Sequence, residues 1–253
     1  MSEVLNTQQL MTPSNFQFSG ANMNDLEASG YTLATICIDI SSSVSRFRQE
    51  LEDTLKTVVE SCKNSPRSEN LLVRLVTFNS NVIESHGFRV LDTISLDEYD
   101  GTINPGGATA LYDAVQSSVE ATYEYGKLLA DQDYEVNGVV YVITDGADCA
   151  SRSTPASIKR YIDQENMNEE GLESMSVILI GVGYGNCATY LDNFKREADL
   201  NQFIDIEELF AKTSPDKALA KLAGYISRSI STTSMALQNG TSSPASSSII
   251  LLF

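Results

Sequence analysis

The sequence predicts an α/β fold: a Rossmann-like, doubly wound, mostly parallel six-stranded sheet with one antiparallel edge strand and helices on both faces. Three observations carry that reading. Strand-length runs are apolar throughout, as strands covered on both faces must be. Segments with helical spacing alternate with them. Two strand patterns are separated only by "NSN" at 79–81, too short a link for a parallel crossover, so that pair is antiparallel. With 253 residues and 42% hydrophobic content, the chain can bury one substantial core.

The elements follow in order. Residues 1–30 are rich in Asn, Ser and Gln, with scattered apolar residues such as Leu10, Met11, Phe16 and Phe18, and read as a flexible N-terminal arm. Thr32 to Ile40 is a continuous apolar strand. From Val44 to Lys63 the pattern turns helical, with Phe47, Leu51, Leu55, Val58 and Val59 on one face. "LLVRLVTF" (71–78) and "VIESHGFRVL" (82–91) form the antiparallel pair. After the turn residues "NPGG" a helix starts near Thr109. "GVVYVIT" (138–144) is a strand, 154–166 a helix, "SVILIGVG" (176–183) a strand, 188–197 a helix and "QFIDI" (202–206) a short strand. Ser214 caps a last long helix in which Pro215 suits the first turn. The domain so delimited spans 31–235, and 236–253 is a low-complexity tail ending in "IILLF".

Charge and cysteine usage narrow the function. Against 34 Asp+Glu stand 17 Lys+Arg, a net charge of −17, which repels phosphate backbones and anionic membranes, so no nucleic acid is expected as a partner. The four cysteines are widely spaced and His86 is the one histidine, which speaks against a zinc site or disulfide framework. The chain lacks a secretory pattern at its start, and no stretch approaches the roughly 18 apolar residues of a membrane span. A soluble, cytoplasmic protein is the expectation.

In an open parallel sheet, function collects beyond the carboxyl ends of the strands, where strand order reverses. Three oxygen-bearing clusters fall at such exits. Asp39-x-Ser41-x-Ser43 follows the first strand, Thr109 follows the Gly106-Gly107 turn, and Asp145 follows the strand 138–144. Each is ordinary alone, since Asp-Ser turns often cap helices. Together they form a hard oxygen set suited to Mg²⁺, Mn²⁺ or Ca²⁺, and two carboxylates at one switch point call for a cation between them. "GVGYGN" (181–186) has the context of a dinucleotide fingerprint, but Asn186 stands at its last glycine position and the strand is late in the sheet.

On these residues the chain resembles the von Willebrand factor A-type domains. Their metal-ion-dependent adhesion site uses Asp-x-Ser-x-Ser, a distant threonine and a distant aspartate. The resemblance covers about 31–234, and "GGATALYDAV" and "VVYVITDGADCASRS" look like bacterial and phage-type members. It implies that Ser41, Ser43 and Thr109 contact the metal through hydroxyls, and that Asp39 and Asp145 bind directly or through water. Ser42 departs from the glycine frequent in the middle of the motif.

The function expected from the resemblance is a non-enzymatic protein-binding module. Its divalent cation, Mg²⁺ or else Mn²⁺ or Ca²⁺, would capture a Glu or Asp of a protein partner. An alternative is a structural subunit of a larger assembly, a virion or injection-type particle, self-assembling through its terminal arms. A metal-dependent phosphatase or hydrolase is the third reading.

Overall fold

A computed structural model describes residues 7–166, 171–183, 185–206 and 212–238. Its strands are β1 (Thr7–Met11), β2 (Gln17–Ala21), β3 (Gly30–Asp39), β4 (Leu71–Phe78), β5 (Val82–Val90), β6 (Glu135–Thr144), β7 (Ser174–Gly181) and β8 (Gln202–Asp205). The helices are α1 (Arg48–Lys63), α2 (Leu111–Ala130), α3 (Pro155–Asn166), α4 (Ala188–Glu197) and α5 (Pro215–Gln238). The strands form one sheet in the order β1-β2-β5-β4-β3-β6-β7-β8.

Pairs β3–β4, β3–β6, β6–β7 and β7–β8 are parallel, and β4–β5 is antiparallel. The alternation of side chains along each strand divides the core into two layers. Ile36, Ile38, Leu75, Tyr141 and Ile180 face α1 and α5 on one side. Cys37, Val76, Val140, Val142 and Leu179 face α2, α3 and α4 on the other. Covering on both faces is why these strands carry no polar alternation. The chain turns from β3 to β4 on one side and to β6 on the other, so the strand order reverses at the carboxyl end of β3. Asp39 ends β3 at that point, and Thr144 ends the neighbouring β6.

The sheet corrects the expected layout at one edge. Among the described residues it has eight strands rather than six, and β5 is interior instead of an edge. The two added strands come from the segment read as a flexible arm: β1 pairs antiparallel with β2, and β2 pairs parallel with β5. The physical reason lies in long-range partners. Phe18, Ala21 and Leu26 are buried with Tyr31, Leu33, Phe88 and Tyr125 in a third apolar cluster. Glu84 accepts bonds from the Ser19 backbone N–H (2.9 Å) and hydroxyl (2.7 Å), and Glu120 accepts from the Ser14 N–H (3.0 Å) and hydroxyl (2.6 Å). Residues 1–6 and the "IILLF" tail lie outside the described residues.

Strands β2 and β5 approach so closely that a methyl group at Gly87 would sit 2.0 Å from the Ser19 carbonyl oxygen. Backbone cannot yield there as a flexible side chain would. Gly87→Ala should cost about 1–3 kcal/mol, read from chemical denaturation, with faster hydrogen exchange concentrated in β1 and β2. His86, next to it, bridges the Gly87 carbonyl oxygen (2.9 Å) and the Tyr99 hydroxyl (3.0 Å), so it is a packing residue remote from the strand exits. Cys37 and Cys62 are buried and all four cysteines are free. Among the described residues no helix is long and apolar enough to cross a membrane.

Candidate metal centre

The loop after β3 begins at a buried carboxylate. Asp39 is 1% exposed, its Oδ1 accepting the Ser41 backbone N–H (2.7 Å) and its Oδ2 the Thr144 hydroxyl (2.7 Å). The first bond folds the chain back at once, which turns the following residues toward the neighbouring loops. Residues Ser42–Phe47 then wind as a tight 3₁₀ segment before α1, so the helix proper starts later than its apolar spacing suggests. The Ser41 and Ser43 hydroxyls lie 3.1 Å apart, and Ser43 donates to Asp145 Oδ1 (2.6 Å). Asp39, Ser41, Ser43 and Asp145 thus form one continuous polar chain across two strand exits.

Thr109 enters from a third segment, which the backbone stitches to both others. The Ser42 N–H (3.2 Å) and hydroxyl (3.0 Å) both donate to the Gly107 carbonyl, and the Gly106 N–H donates to the Ile40 carbonyl (2.8 Å). The Thr109 carbonyl accepts from the backbone N–H groups of Cys149 (2.9 Å) and Ala150 (3.1 Å). Gly107 has φ +84°, the left-handed region where a side chain is strained, and a Cβ there would also crowd Ser80 Oγ at 2.9 Å. The Thr109 side chain is buried.

Electrostatics mark the site as well. Burial pushes the Asp39 carboxyl up to about 6, with Asp145 adding repulsion against the stabilising bonds from Thr144 and Ser41. Burial also raises Asp145, opposed by the Ser43 hydroxyl and the Arg46 guanidinium. The second oxygen of Asp145, Oδ2, is buried and finds no hydrogen-bond partner among the described residues other than Asp145's own backbone. A buried carboxylate oxygen left in that state carries a desolvation cost that a bound cation would offset. The two carboxylates and two serine hydroxyls gathered here have the donor chemistry of a hard divalent cation site, while Thr109 is tied to them through its loop's backbone. Among the described residues no three His, Cys, Asp or Glu side chains cluster as a metal site, so such a cation would rest on hydroxyls as much as on carboxylates.

Sequence reasoning passed over Thr144 and Arg46, and noted Ser42 only as a departure from the motif. Thr144 holds Asp39 Oδ2, and its signal was its place as the last residue of a strand whose neighbour ends in an acid. Ser42, which stands where a glycine is frequent, ties its loop to Gly107. Arg46 donates to the Gly183 carbonyl, which fastens the turn after β7 beside the site. That turn is the "GVGYGN" stretch. Gly183 and Gly185 take positive φ, and Asp205 lies in register with Gly181 on the adjacent strand, an ordinary strand exit.

Comparison with solved structures places this fold. A variant of the PilB minor pilin from Streptococcus sanguinis superposes with a TM-score of 0.57 at 14% identity, over 87% of this chain and 65% of the pilin. Proximal thread matrix protein 1 from the mussel byssus gives 0.52 at 18%, over 84% of this chain and 47% of that one. The vWF domain of the type V pili tip protein Mfa5 from Porphyromonas gingivalis gives 0.50 at 11%, over 81% of this chain and 97% of the domain. The chain therefore spans under two thirds of the pilin and about half of the thread protein, and nearly all of the isolated vWF domain. Neither the family models nor the curated protein sequences give a match. The fold is that of the von Willebrand factor A-type domains.

Proposed function

We propose that this chain is a non-enzymatic adhesion or assembly module that captures a carboxylate of a partner protein in a cation-dependent way. One observation carries the reading: the Asp39–Ser41–Ser43–Asp145 chain ends on a buried oxygen, Asp145 Oδ2, for which the described residues offer no hydrogen-bond partner beyond Asp145 itself. Ser41, Ser43 and Thr109 would hold a divalent cation through their hydroxyls, with Asp39 and Asp145 supplying the charge. Mg²⁺ suits this oxygen set, and Mn²⁺ and Ca²⁺ share its ligand chemistry. When bound, the cation supplies a Lewis-acidic position that an Asp or Glu from outside can fill. Hydroxyl ligands leave more of its charge uncompensated than carboxylates would. The similarity to a minor pilin, a pilus tip domain and a thread matrix protein supports an adhesive or assembly role.

The test uses the immobilised full chain and a displayed random-peptide library in Mg²⁺, eluted with chelator. Chelator-eluted peptides should carry Asp or Glu, and their amide versions should lose binding at least tenfold. Thr109→Ala protein, which keeps the backbone bonds of its loop, should enrich none. Peptides that stay bound in chelator, or bind Thr109→Ala equally well, would contradict the proposal.

A further inference from the structure

Segment 106–110 carries neither helix nor strand, and such irregular stretches are ordinarily the mobile parts of a fold. Here it is tied down from three sides. The Gly106 N–H donates to the Ile40 carbonyl (2.8 Å), and the Gly107 carbonyl accepts from both the N–H and the hydroxyl of Ser42. At the hairpin tip between β4 and β5, the Ser80 hydroxyl accepts the Ala108 N–H (2.9 Å) and the Asn79 carbonyl accepts the Ala110 N–H (2.7 Å). In the loop after β6, the Cys149 sulfur accepts the Thr109 N–H (3.4 Å), while the Cys149 and Ala150 N–H groups donate back to the Thr109 carbonyl. That loop is itself wrapped on the first turn of α2, where Asp113 accepts the N–H groups of Arg152 (3.1 Å) and Ser153 (2.7 Å).

The atoms of this clamp are separate from the oxygens proposed to hold a cation. None of its bonds uses the Thr109 hydroxyl, the carboxylates of Asp39 and Asp145, or the hydroxyls of Ser41 and Ser43. A cation could therefore bind without breaking or forming any of them. The facing wall is built differently, because the Ser41–Ser43 and Ser43–Asp145 bonds run between the candidate ligand oxygens themselves. The three side chains in the clamp, Ser42, Ser80 and Cys149, are exposed, so they add nothing to the core. The close approach of Gly107 to Ser80 leaves the segment little room to shift.

Resting on the proposed cation reading, we infer that segment 106–110 is a permanently set wall of the site, with Ser42, Ser80 and Cys149 as its positioning residues. The site is then constitutive rather than switched. The entropy of ordering the Thr109 segment is lost on folding and not on binding, which favours tight capture. Amide hydrogen exchange of the full chain, resolved by NMR in chelator and in saturating Mg²⁺, reads this directly. In the parent, the Gly106 and Ala110 amides should exchange at rates within threefold of each other in the two conditions. A Ser42→Ala, Ser80→Ala, Cys149→Ala triple variant leaves the acceptors of those two amides in place. In chelator it should nevertheless exchange both at least tenfold faster, and its Mg²⁺ affinity by calorimetry should fall at least tenfold. The conservative set Ser42→Thr, Ser80→Thr, Cys149→Ser should restore both properties. Slowing of threefold or more by Mg²⁺ in the parent would overturn the inference, as would a triple variant that falls short of either tenfold change. A parent that binds no Mg²⁺ would instead contradict the proposed function, and the exchange difference in chelator would still decide whether these side chains set the wall.

Discussion

Asp39→Asn should make the cation-free protein more stable at pH 7 while removing its response to Mg²⁺. The argument follows from the surroundings of Asp39. Its carboxyl titrates near 6 because burial disfavours the charged form, whereas in the unfolded chain it titrates near 3.9. Below about pH 4 it is protonated in both states and costs nothing. As pH rises to about 6 the unfolded chain loses its proton first, so folding stability falls, and above that the full cost of roughly 3 kcal/mol is present. Asparagine removes the charge and keeps the bonds. Its oxygen can accept the Ser41 N–H, and its amide can donate to the Thr144 hydroxyl, which is then free to donate to the Gly146 carbonyl 3.3 Å away. In chelator at pH 7 the variant should melt on the order of 10 °C above the parent, and the gap should close by pH 4. Mg²⁺ at about 100 times its Kd should raise the parent by about 2.7 kcal/mol and leave the variant unmoved. A variant less stable than the parent in chelator would show that Asp39 is structural.

The second large effect is expected at Arg74→Ala. Arg74 is 1% exposed on β4, and its Nε donates to Glu84 Oε2 (2.7 Å) on β5. The other oxygen of Glu84 holds Ser19 of β2, so this one ion pair anchors the edge hairpin to the parallel block. Removing the guanidinium leaves a half-buried carboxylate uncompensated, at a cost of about 3–5 kcal/mol. Arg74→Met combined with Glu84→Gln keeps an acceptor for Ser19 without a charge, and should recover most of the loss. Urea denaturation measures both. If the double variant is no better than Arg74→Ala, the cost lies in lost packing against Phe88 and not in the charge.

The parallel core was legible because its strands have no alternative. A run such as Val139–Thr144 is apolar on both faces, and only a sheet covered on both sides satisfies it. The convergence of Asp39, Ser41, Ser43 and Asp145 was legible for a related reason, as acids and hydroxyls placed where apolar strands stop. The edge hairpin was not. "TQQLM" and "QFSGA" lack a clear period, and what holds them is a pair of carboxylates, Glu84 and Glu120, 65 and 106 residues distant. Thr144 was hidden as well, because a threonine ending a strand looks like any other until its neighbour's carboxylate is found 2.7 Å away.

Calorimetric titration of MgCl₂ into the metal-free full chain at pH 7, with Thr109→Ala alongside, addresses the cation site most directly. One ion per chain should bind the parent, and Mn²⁺ should compete for the same position. The Thr109→Ala protein, equally folded by circular dichroism, should give no binding heat. Absence of saturable binding to the parent, or an unchanged isotherm in the variant, would mean that these oxygens serve the fold alone.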